Sequence, residues 1–577
     1  MLAPWLNAAW RWKCAGEASR FRRATTDVAQ TQRDLLLSIL AANRDTAFGR
    51  QHGFAAIRTV SDFQRQVPIS TYDDIEPHIS RIAAGEPNVL TAERVLLLQP
   101  TSGSTSSEKL IPYTHSLRRQ FQCGVAAWIA DLFARRPSVC QGRAYWSISP
   151  SLGPRRRTAG GIPIGFDDDA AYLGRLEQWA LRHLLAVPGE VAQLPDIDSV
   201  RYATLLFLLA ADNLSLISVW NPTFLTSLLA PLPQWSDRLV SDLRQGRCSP
   251  PEPIPPGAAK NLSRWLRPLP KRADEVASLL RDANGDVPCE ALWPRLALIS
   301  CWTDAGASYF LPALSRLFPH TEIQPKGLLA TEGFVSLPLV AHEGAALAVR
   351  SHFFEFAELG DSSRCSLAHE IERGGRYRVL LTTGGGLYRY DLGDEVEVVG
   401  FVGQCPTLRF CGKLTRTSDL VGEKLSEAHV QESLDAVTRS LNVQPTFVLL
   451  APFLDSPPHY RLYVQGVADD ALPLLENQLQ KRLEENPYYR HAIAFEQLAP
   501  LEVVLLEPSV PAWSLYEHHC LARGQRAGDI KPAVLDRWTG WPDVFAEAAT
   551  GGRESFRADD YLSPEMIGPK RLPTPSS

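Results

Sequence analysis

No two cysteines in this chain have the spacing of a metal knuckle or a redox pair: ten are scattered from Cys14 to Cys520, with no CxxC and no repeated interval. A chain of 577 residues can build its core without disulfides, so the pattern is expected of reduced thiols in a cytoplasmic protein. His518-His519-Cys520 has no second ligand cluster to accompany it, and a metal is not expected there. Excess positive charge is also missing. Lysine and arginine total 59 against 64 aspartates and glutamates, a net charge of −5, whereas a phosphate-backbone binder carries a basic domain or stripe, so no nucleic-acid partner is expected. The run Arg155-Arg156-Arg157 reads as a solvated loop beside Gly160-Gly161. Long apolar runs are lacking too. The most apolar stretch, Ala203 to Ala211, is cut by Asp212 and Asn213 well short of a bilayer span, and reads as a buried helix. The first thirteen residues have no basic segment leading into a continuous apolar core, so neither secretion nor a membrane partner is expected. No internal repeat or long low-complexity tract is present.

What remains is a soluble-type composition, 45% hydrophobic and 21% charged, in a chain too long for one ordinary core. Apolar spacing predicts helices over Thr25 to Asn43, Ser116 to Phe133, Ala171 to Leu185 and Phe224 to Leu229. Strands are expected near Val95 to Leu98, Leu296 to Ser300 and Leu347 to Arg350. The texture changes near Gly412. Beyond it a helix (Glu427 to Ser440), two strands (Thr446 to Leu450, Tyr460 to Val464), a helix (Leu472 to Glu484) and a strand (Leu501 to Leu506) predict a separate small α+β domain. The expected organisation is α/β: a large N-terminal domain over 1–412, a small C-terminal domain over 413–561, and an unstructured tail over 562–577 rich in proline and serine.

The chemistry concentrates in three segments. The first is Thr101-Ser102-Gly103-Ser104-Thr105-Ser106-Ser107-Glu108-Lys109, in which hydroxyls surround one glycine and a lysine follows. A polyphosphate needs backbone N–H groups, hydroxyl donors and a cation at close range; Ser102, Ser104, Thr105 and Ser106 supply donors, Gly103 lets the backbone approach, and Lys109 supplies the charge. A short apolar run before the loop and a helix after it predict strand, loop, helix, the arrangement of an anion site. It is not a Walker loop, because Glu108 and Leu110 occupy the second glycine and hydroxyl positions. The second segment is Lys326-Gly327-Leu328-Leu329-Ala330-Thr331-Glu332-Gly333. Thr331 offers a hydroxyl and Glu332 a carboxylate for Mg2+, which takes few protein carboxylates alongside substrate phosphates; the plain alternative is a surface glutamate at a turn. The third is Gly384-Gly385-Gly386 through Asp394, where an aspartate can accept two hydrogen bonds from a ribose diol; the alternative is a hairpin turn at Gly393-Asp394. Gly384 and Gly386 do not open a dinucleotide fingerprint, since Arg389 stands at the third glycine.

Taken together these segments resemble the acyl acid amido synthetases of the Gretchen Hagen auxin-responsive family, a branch of the adenylate-forming superfamily, over most of the chain. Arg81 to Pro87 is similar to the lead-in to the family's first motif. Ser102 to Lys109 with Ile111-Pro112 is similar to its phosphate loop. Gly386-Leu387-Tyr388-Arg389-Tyr390-Asp391-Leu392-Gly393-Asp394 is similar to its ribose motif, and Gly524 to Pro532 to the segment with the mobile domain's catalytic lysine, here Lys531. Gly422-Glu423-Lys424 falls where the family has a second nucleotide-contacting lysine, Lys424; the alternative for Lys424 is a helix-start salt bridge. The sequence departs at Leu328, where the family has an aromatic residue, and at Ser107, where a second glycine is common. A bacterial-type member is the nearer expectation.

The resemblance implies a large α/β adenylation domain with a small mobile α+β domain hinged near Gly412-Lys413, ATP and Mg2+ as cofactors, and a small carboxylic acid and an amino acid as substrates. It implies that Ser102, Gly103, Ser104, Thr105 and Ser106 hold the β and γ phosphates, Glu332 the metal, Asp394 the ribose, and that Lys531 offsets charge at the α phosphate. An acyl-CoA or aryl-CoA ligase shares the first step, and a non-catalytic nucleotide-binding member shares the fold. The sequence carries no signal of oligomeric state.

Overall fold

The computed structural model describes residues 2–101, 109–146, 156–165, 183–283, 286–359, 364–413, 417–523, 525 and 530–550. The chain divides into two compact units, Met1–Arg416 with Ser426–Gln431, and Thr417–Leu425 with Glu432–Ser577.

In the first unit the helical spacing after Thr25 becomes the helix Val28–Asn43, capped by the Asp27 carboxylate and burying Leu36, Ile39 and Leu40. Four strands, Arg143–Trp146, Leu214–Ser218, Leu298–Cys301 and Glu322–Pro325, form a parallel sheet in chain order. The middle two strands are buried throughout, as expected when helices cover both faces. The apolar stretch expected to be a buried helix is Ile197–Ala210, with Tyr202 to Leu209 almost wholly out of water. At the C-terminal edge of this sheet Trp146, Ser218, Ser300 and Gln324 stand in register.

A seven-stranded antiparallel sheet follows, in the order Cys365–Leu367, Phe353–Glu358, Arg376–Thr382, Tyr390–Val402, Cys405–Lys413, Ala345–Leu347, Ser336–Pro338. The strand expected over Leu347 to Arg350 lies earlier, at Ala345–Leu347, because the chain turns at Ser351. A smaller sheet pairs Leu97–Pro100 antiparallel with Leu110–Tyr113 and parallel with Pro163–Ile164.

That pairing corrects the expected strand, loop, helix arrangement. Leu110-Ile111-Pro112-Tyr113 is itself a strand, and the helix begins only at His115, capped by Thr114. The hydroxyl-rich segment therefore joins two antiparallel strands, and its described ends are closed by Thr101 N–H donating to the Lys109 carbonyl at 2.9 Å. Ser102, Gly103, Ser104, Thr105 and Ser106 lie outside the described residues, as do most of the helix expected over Ala171 to Leu185 and the tail over 562–577.

In the second unit Phe447–Phe453 pairs antiparallel with His459–Gln465, which pairs parallel with Glu502–Leu505. The helices Leu472–Leu483, Pro487–Ala494, Ala512–Ala522 and Trp541–Thr550 belong to this unit. No described helix is long and apolar enough to cross a membrane.

Candidate active site

The glycine run at 384–386 is a packing device. A side chain at Gly384 would meet Ser116 Cβ at 2.6 Å, and one at Gly386, where φ is +97°, would meet Leu90 Cβ at 2.7 Å. The chain then enters the strand Tyr390–Val402 through buried anchors. Tyr388 stacks on Phe48 at 5.0 Å and donates to the Leu90 carbonyl at 2.8 Å. Arg389, at φ +46°, holds the buried Glu355 carboxylate with Nε and Nη2 at 3.0 Å and donates through Nη1 to the Gln64 and Val67 carbonyls. Its guanidinium is fully engaged in holding the strand's entry to the remote helix Val60–Gln66 and the loop after it.

The alternative of a turn at Gly393-Asp394 is not what forms. Asp391 pairs with Leu380 and Glu395 with Arg378, so between these pairs three residues on one strand oppose one on the other, and Gly393 takes φ +67° within this bulge. The Asp391 carboxylate accepts from Gly393 N–H at 2.8 Å and pairs with Arg378 at 3.2 Å. The bulge places Asp394 opposite Lys413 of the next strand, with Lys413 Nζ 3.0 Å from its Oδ1 and the Asp394 side chain almost wholly buried. The family resemblance named Lys413 only as part of a hinge; its pairing with Asp394 depends on cross-strand register.

Glu332 reaches the same place from another element. Ala330 and Gly333 exchange two backbone hydrogen bonds, leaving Thr331 and Glu332 at the tip of a tight hairpin. Burial pushes the half-buried Glu332 carboxyl above its ordinary range, Lys413 and Lys109 pull it down, and Asp394 pushes it up. Glu332, Asp394, Lys109 and Lys413 thus form one electrostatic cluster. Lys109 Nζ stands 5.4 Å from the Tyr72 ring centroid, and Tyr72 accepts from Leu110 N–H at 2.8 Å. The phenol of Tyr390 is pushed up by burial and by Glu332, Tyr72, Asp391 and Asp394 around it.

The hairpin is clasped from behind by a network that sequence reasoning missed. His352, buried, accepts from Phe334 N–H through Nε2 at 2.9 Å, while its Nδ1 lies 3.1 Å from Gln120 Oε1. Gln120 Oε1 also accepts from Gly384 N–H at 2.9 Å. An amide oxygen cannot donate, so Nδ1 carries the proton, and burial holds the imidazole neutral with its pKa down at about 3. The partners lie more than 200 residues apart along the chain, and no local signal announces them.

Among the described residues no group of three or more histidine, cysteine, aspartate or glutamate side chains could hold a metal ion. Glu332, with Asp394 near it, suits a hard cation that takes most of its oxygens from phosphate and water, and not an all-protein cage.

Lys531 and Lys424 belong to the second unit. Tyr516 OH donates to the Lys531 carbonyl at 3.0 Å, and Tyr516 stacks on the buried Trp541 at 5.6 Å, which anchors the backbone beneath the half-buried lysine. Lys424 is exposed on a loop held by the buried Glu423, whose carboxylate accepts from Leu420 and Val421 N–H at 2.8 and 2.9 Å. No carboxylate among the described residues pairs with Lys424, and its backbone takes φ +46°, a strain non-glycine residues seldom carry outside constrained sites. His519, beside Cys520, stacks on Trp538 at 4.0 Å as part of the aromatic core.

Three family models match the chain: the GH3 family N-terminal domain over residues 17–323, the GH3 family central domain over 345–413 and the GH3 family C-terminal domain over 427–539. Among curated proteins it is similar to the probable indole-3-acetic acid-amido synthetase GH3.1 of Arabidopsis thaliana, 24% identical over 516 residues, covering 84% of this chain and 86% of the relative. It is also similar to the jasmonoyl--L-amino acid synthetase JAR6 of Nicotiana attenuata, 26% identical over 443 residues, covering 73% and 75%. Among solved structures it superposes on the AtGH3.15 acyl acid amido synthetase in complex with 2,4-DB with a TM-score of 0.81 at 20% identity, covering 93% of this chain and 96% of that one, which shows a shared fold.

Proposed function

The chain belongs to the GH3 family, and from that membership we propose that it is an ATP-dependent amido synthetase, which adenylates a small carboxylic acid and passes the acyl group to the amine of an amino acid. The named relatives join indole-3-acetic acid or a jasmonoyl group to amino acids; what carries over is the reaction type and the substrate class. The observation that carries this reading is the convergence of Glu332, Asp394, Lys109 and Lys413 beside the closed ends of the hydroxyl-rich loop.

In the first step a carboxylate oxygen of the acid attacks the α phosphorus of ATP, forming the acyl adenylate and releasing pyrophosphate. Two anions must be brought together, so positioning and charge compensation matter more than covalent help. Lys109 and the segment Ser102 to Ser106 are assigned to the β and γ phosphates by the family resemblance, and Asp394, held at one oxygen by Lys413, offers its remaining lone pairs to the ribose hydroxyls. Mg2+, held by Glu332 together with phosphate oxygens, would neutralise charge on the departing pyrophosphate. The family resemblance assigns Lys531 to offset charge at the α phosphate and Lys424 to contact the nucleotide. In the second step the amine attacks the acyl carbonyl, the carbon–oxygen bond to phosphate breaks, and AMP leaves. We place the reaction in the cytoplasm, where ATP is available and thiols stay reduced.

The test is to incubate the enzyme with ATP, Mg2+, a panel of organic acids and either amino acids or coenzyme A, and identify the products by mass spectrometry. Amide, AMP and pyrophosphate are expected. A thioester as the sole acyl product identifies a coenzyme A ligase, and nucleotide binding with no acid-dependent pyrophosphate exchange identifies a non-catalytic member.

A further inference from the structure

The half-buried ammonium of Lys326, outside the adenylation cluster, has no carboxylate to balance it among the described residues. Lys326 follows the last strand of the parallel sheet, and its Nζ donates to the Ser218 hydroxyl at 2.7 Å while lying 5.0 Å from the Trp220 ring centroid and 5.7 Å from that of Trp128. No carboxylate among the described residues lies within ion-pair distance. Cation–π contact with two indoles stabilises the charge only in part, because a ring face replaces a small share of the hydration that burial removes.

Two more donors beside it lack acceptors. Ser218 stands in register with Trp146 on one side and Ser300 on the other, so all three side chains point to the same face of the sheet. The Ser300 hydroxyl is wholly buried, and among the described residues neither it nor the buried indole N–H of Trp146 has a hydrogen-bond partner. Orphaned buried donors are rare in native proteins, and several on one face point to a missing acceptor. The C-terminal edge of a parallel sheet is also where open α/β sheets bind their ligands. Trp220 and Trp302, their rings 5.5 Å apart, complete an apolar wall that is only half-buried.

We propose that this edge is a subsite for an organic carboxylate, received by the Lys326 ammonium and the Ser300 hydroxyl, with the apolar body of the ligand against Trp128, Trp220 and Trp302. It deepens the amido synthetase reading and rests on it for its place in the reaction, since both the acyl acid and the amino acid bring a carboxylate. The indole walls suit the body of the acid; the two sources separate in the assay.

Burial holds the Lys326 ammonium down at about 8, so the free amine is well populated in mildly alkaline solution and reacts readily with amine reagents. A carboxylate bound beside it stabilises the ammonium and slows that reaction. The full-length wild-type protein is labelled briefly with an amine-reactive reagent, alone or with benzoate, indole-3-acetate or glycine, and modification of Lys326 is followed by mass spectrometry against exposed lysines. Several-fold protection of Lys326 by any of the three is expected; protection by none overturns the subsite, whether or not the protein adenylates anything. Lys326→Met, which keeps the packing volume, then assigns the source. A tenfold rise in KM for the acid in pyrophosphate exchange, with KM for ATP unchanged, assigns it to the acyl acid. Unchanged exchange and hydroxylamine trapping, with a tenfold rise in KM for the amino acid, assigns it to the acceptor. All three Michaelis constants within twofold of wild type reject a role in the reaction. Failure of the wild type to exchange pyrophosphate with any acid rejects the amido synthetase reading and leaves the labelling result to judge the subsite.

Discussion

Replacing Glu332 with glutamine removes one charge at the tip of the Ala330–Gly333 hairpin and leaves its shape nearly intact. In the free enzyme this carboxyl is pushed up because burial outweighs the pull of Lys413 and Lys109, with Asp394 adding to the push. A group whose folded pKa lies above its unfolded value costs stability once both states are ionised. That cost is absent below the unfolded pKa and complete above the folded one. Glu332→Gln is therefore expected to stabilise the free protein by about 1 kcal/mol at pH 7.5, within the range of other site-relaxing substitutions. In a unit of roughly 400 residues this raises the melting temperature by about 1 °C. The gain shrinks as pH falls toward 4, where the wild-type carboxyl is protonated in both states. Activity is expected to move the other way: loss of the group proposed to hold Mg2+ lowers acid-dependent pyrophosphate exchange by about 10²-fold or more. Differential scanning calorimetry from pH 4.5 to 8 together with the exchange assay reads both effects. A variant less stable than wild type at pH 7.5 shows that the two lysines hold the carboxylate as a net stabilising ion, and refutes the reasoning.

Lys413→Met leaves the buried Asp394 carboxylate without its ammonium; because Lys413 is about a third exposed, a loss of about 2 kcal/mol is expected in urea unfolding, less than for a fully buried pair. The same substitution removes the main downward pull on Glu332, so the acidic limb of the exchange pH profile moves to higher pH, and a limb that stays in place argues against the cluster. Arg389→Lys cannot reproduce the fork onto Glu355 or both carbonyl contacts, and a loss of about 3 kcal/mol is expected in the same assay, with KM for ATP unchanged once unfolded protein is discounted. Gly384→Ala places a methyl against Ser116, and a cost of about 1–3 kcal/mol is expected in chemical denaturation, whereas a neutral result means that the helix N-terminus yields easily.

Much of the architecture was legible because it follows from periodicity. The helices at Val28–Asn43 and Glu427–Leu441 and the strands at Phe447–Phe453 and His459–Gln465 lie where the apolar spacing placed them, within a few residues. The short strand Leu110–Tyr113 was not seen, because four residues after a polar loop carry too little pattern to separate a strand from the approach to a helix. For the site, residue types marked Glu332 and Asp394 as candidates but could not decide between a turn and a site at either. At Asp394 a bulge stands in place of the alternative hairpin turn and sets the residue opposite Lys413, which supports the site reading. At Glu332 burial supports it, since a hairpin tip is ordinarily solvated and only tertiary packing draws this one inward. His352 and Gln120 were illegible for a related reason: a histidine and a glutamine on unconnected segments acquire meaning only when the fold brings them to 3.1 Å.

The central proposal is AMP-forming acyl activation that needs Lys531, and acid-dependent exchange of labelled pyrophosphate into ATP tests it most directly. The account predicts exchange that requires the acid and falls by about 10²-fold or more in Lys531→Ala with the melting temperature unchanged. Exchange unaffected by Lys531→Ala, or acid-dependent formation of ADP and phosphate in place of AMP and pyrophosphate, would contradict it.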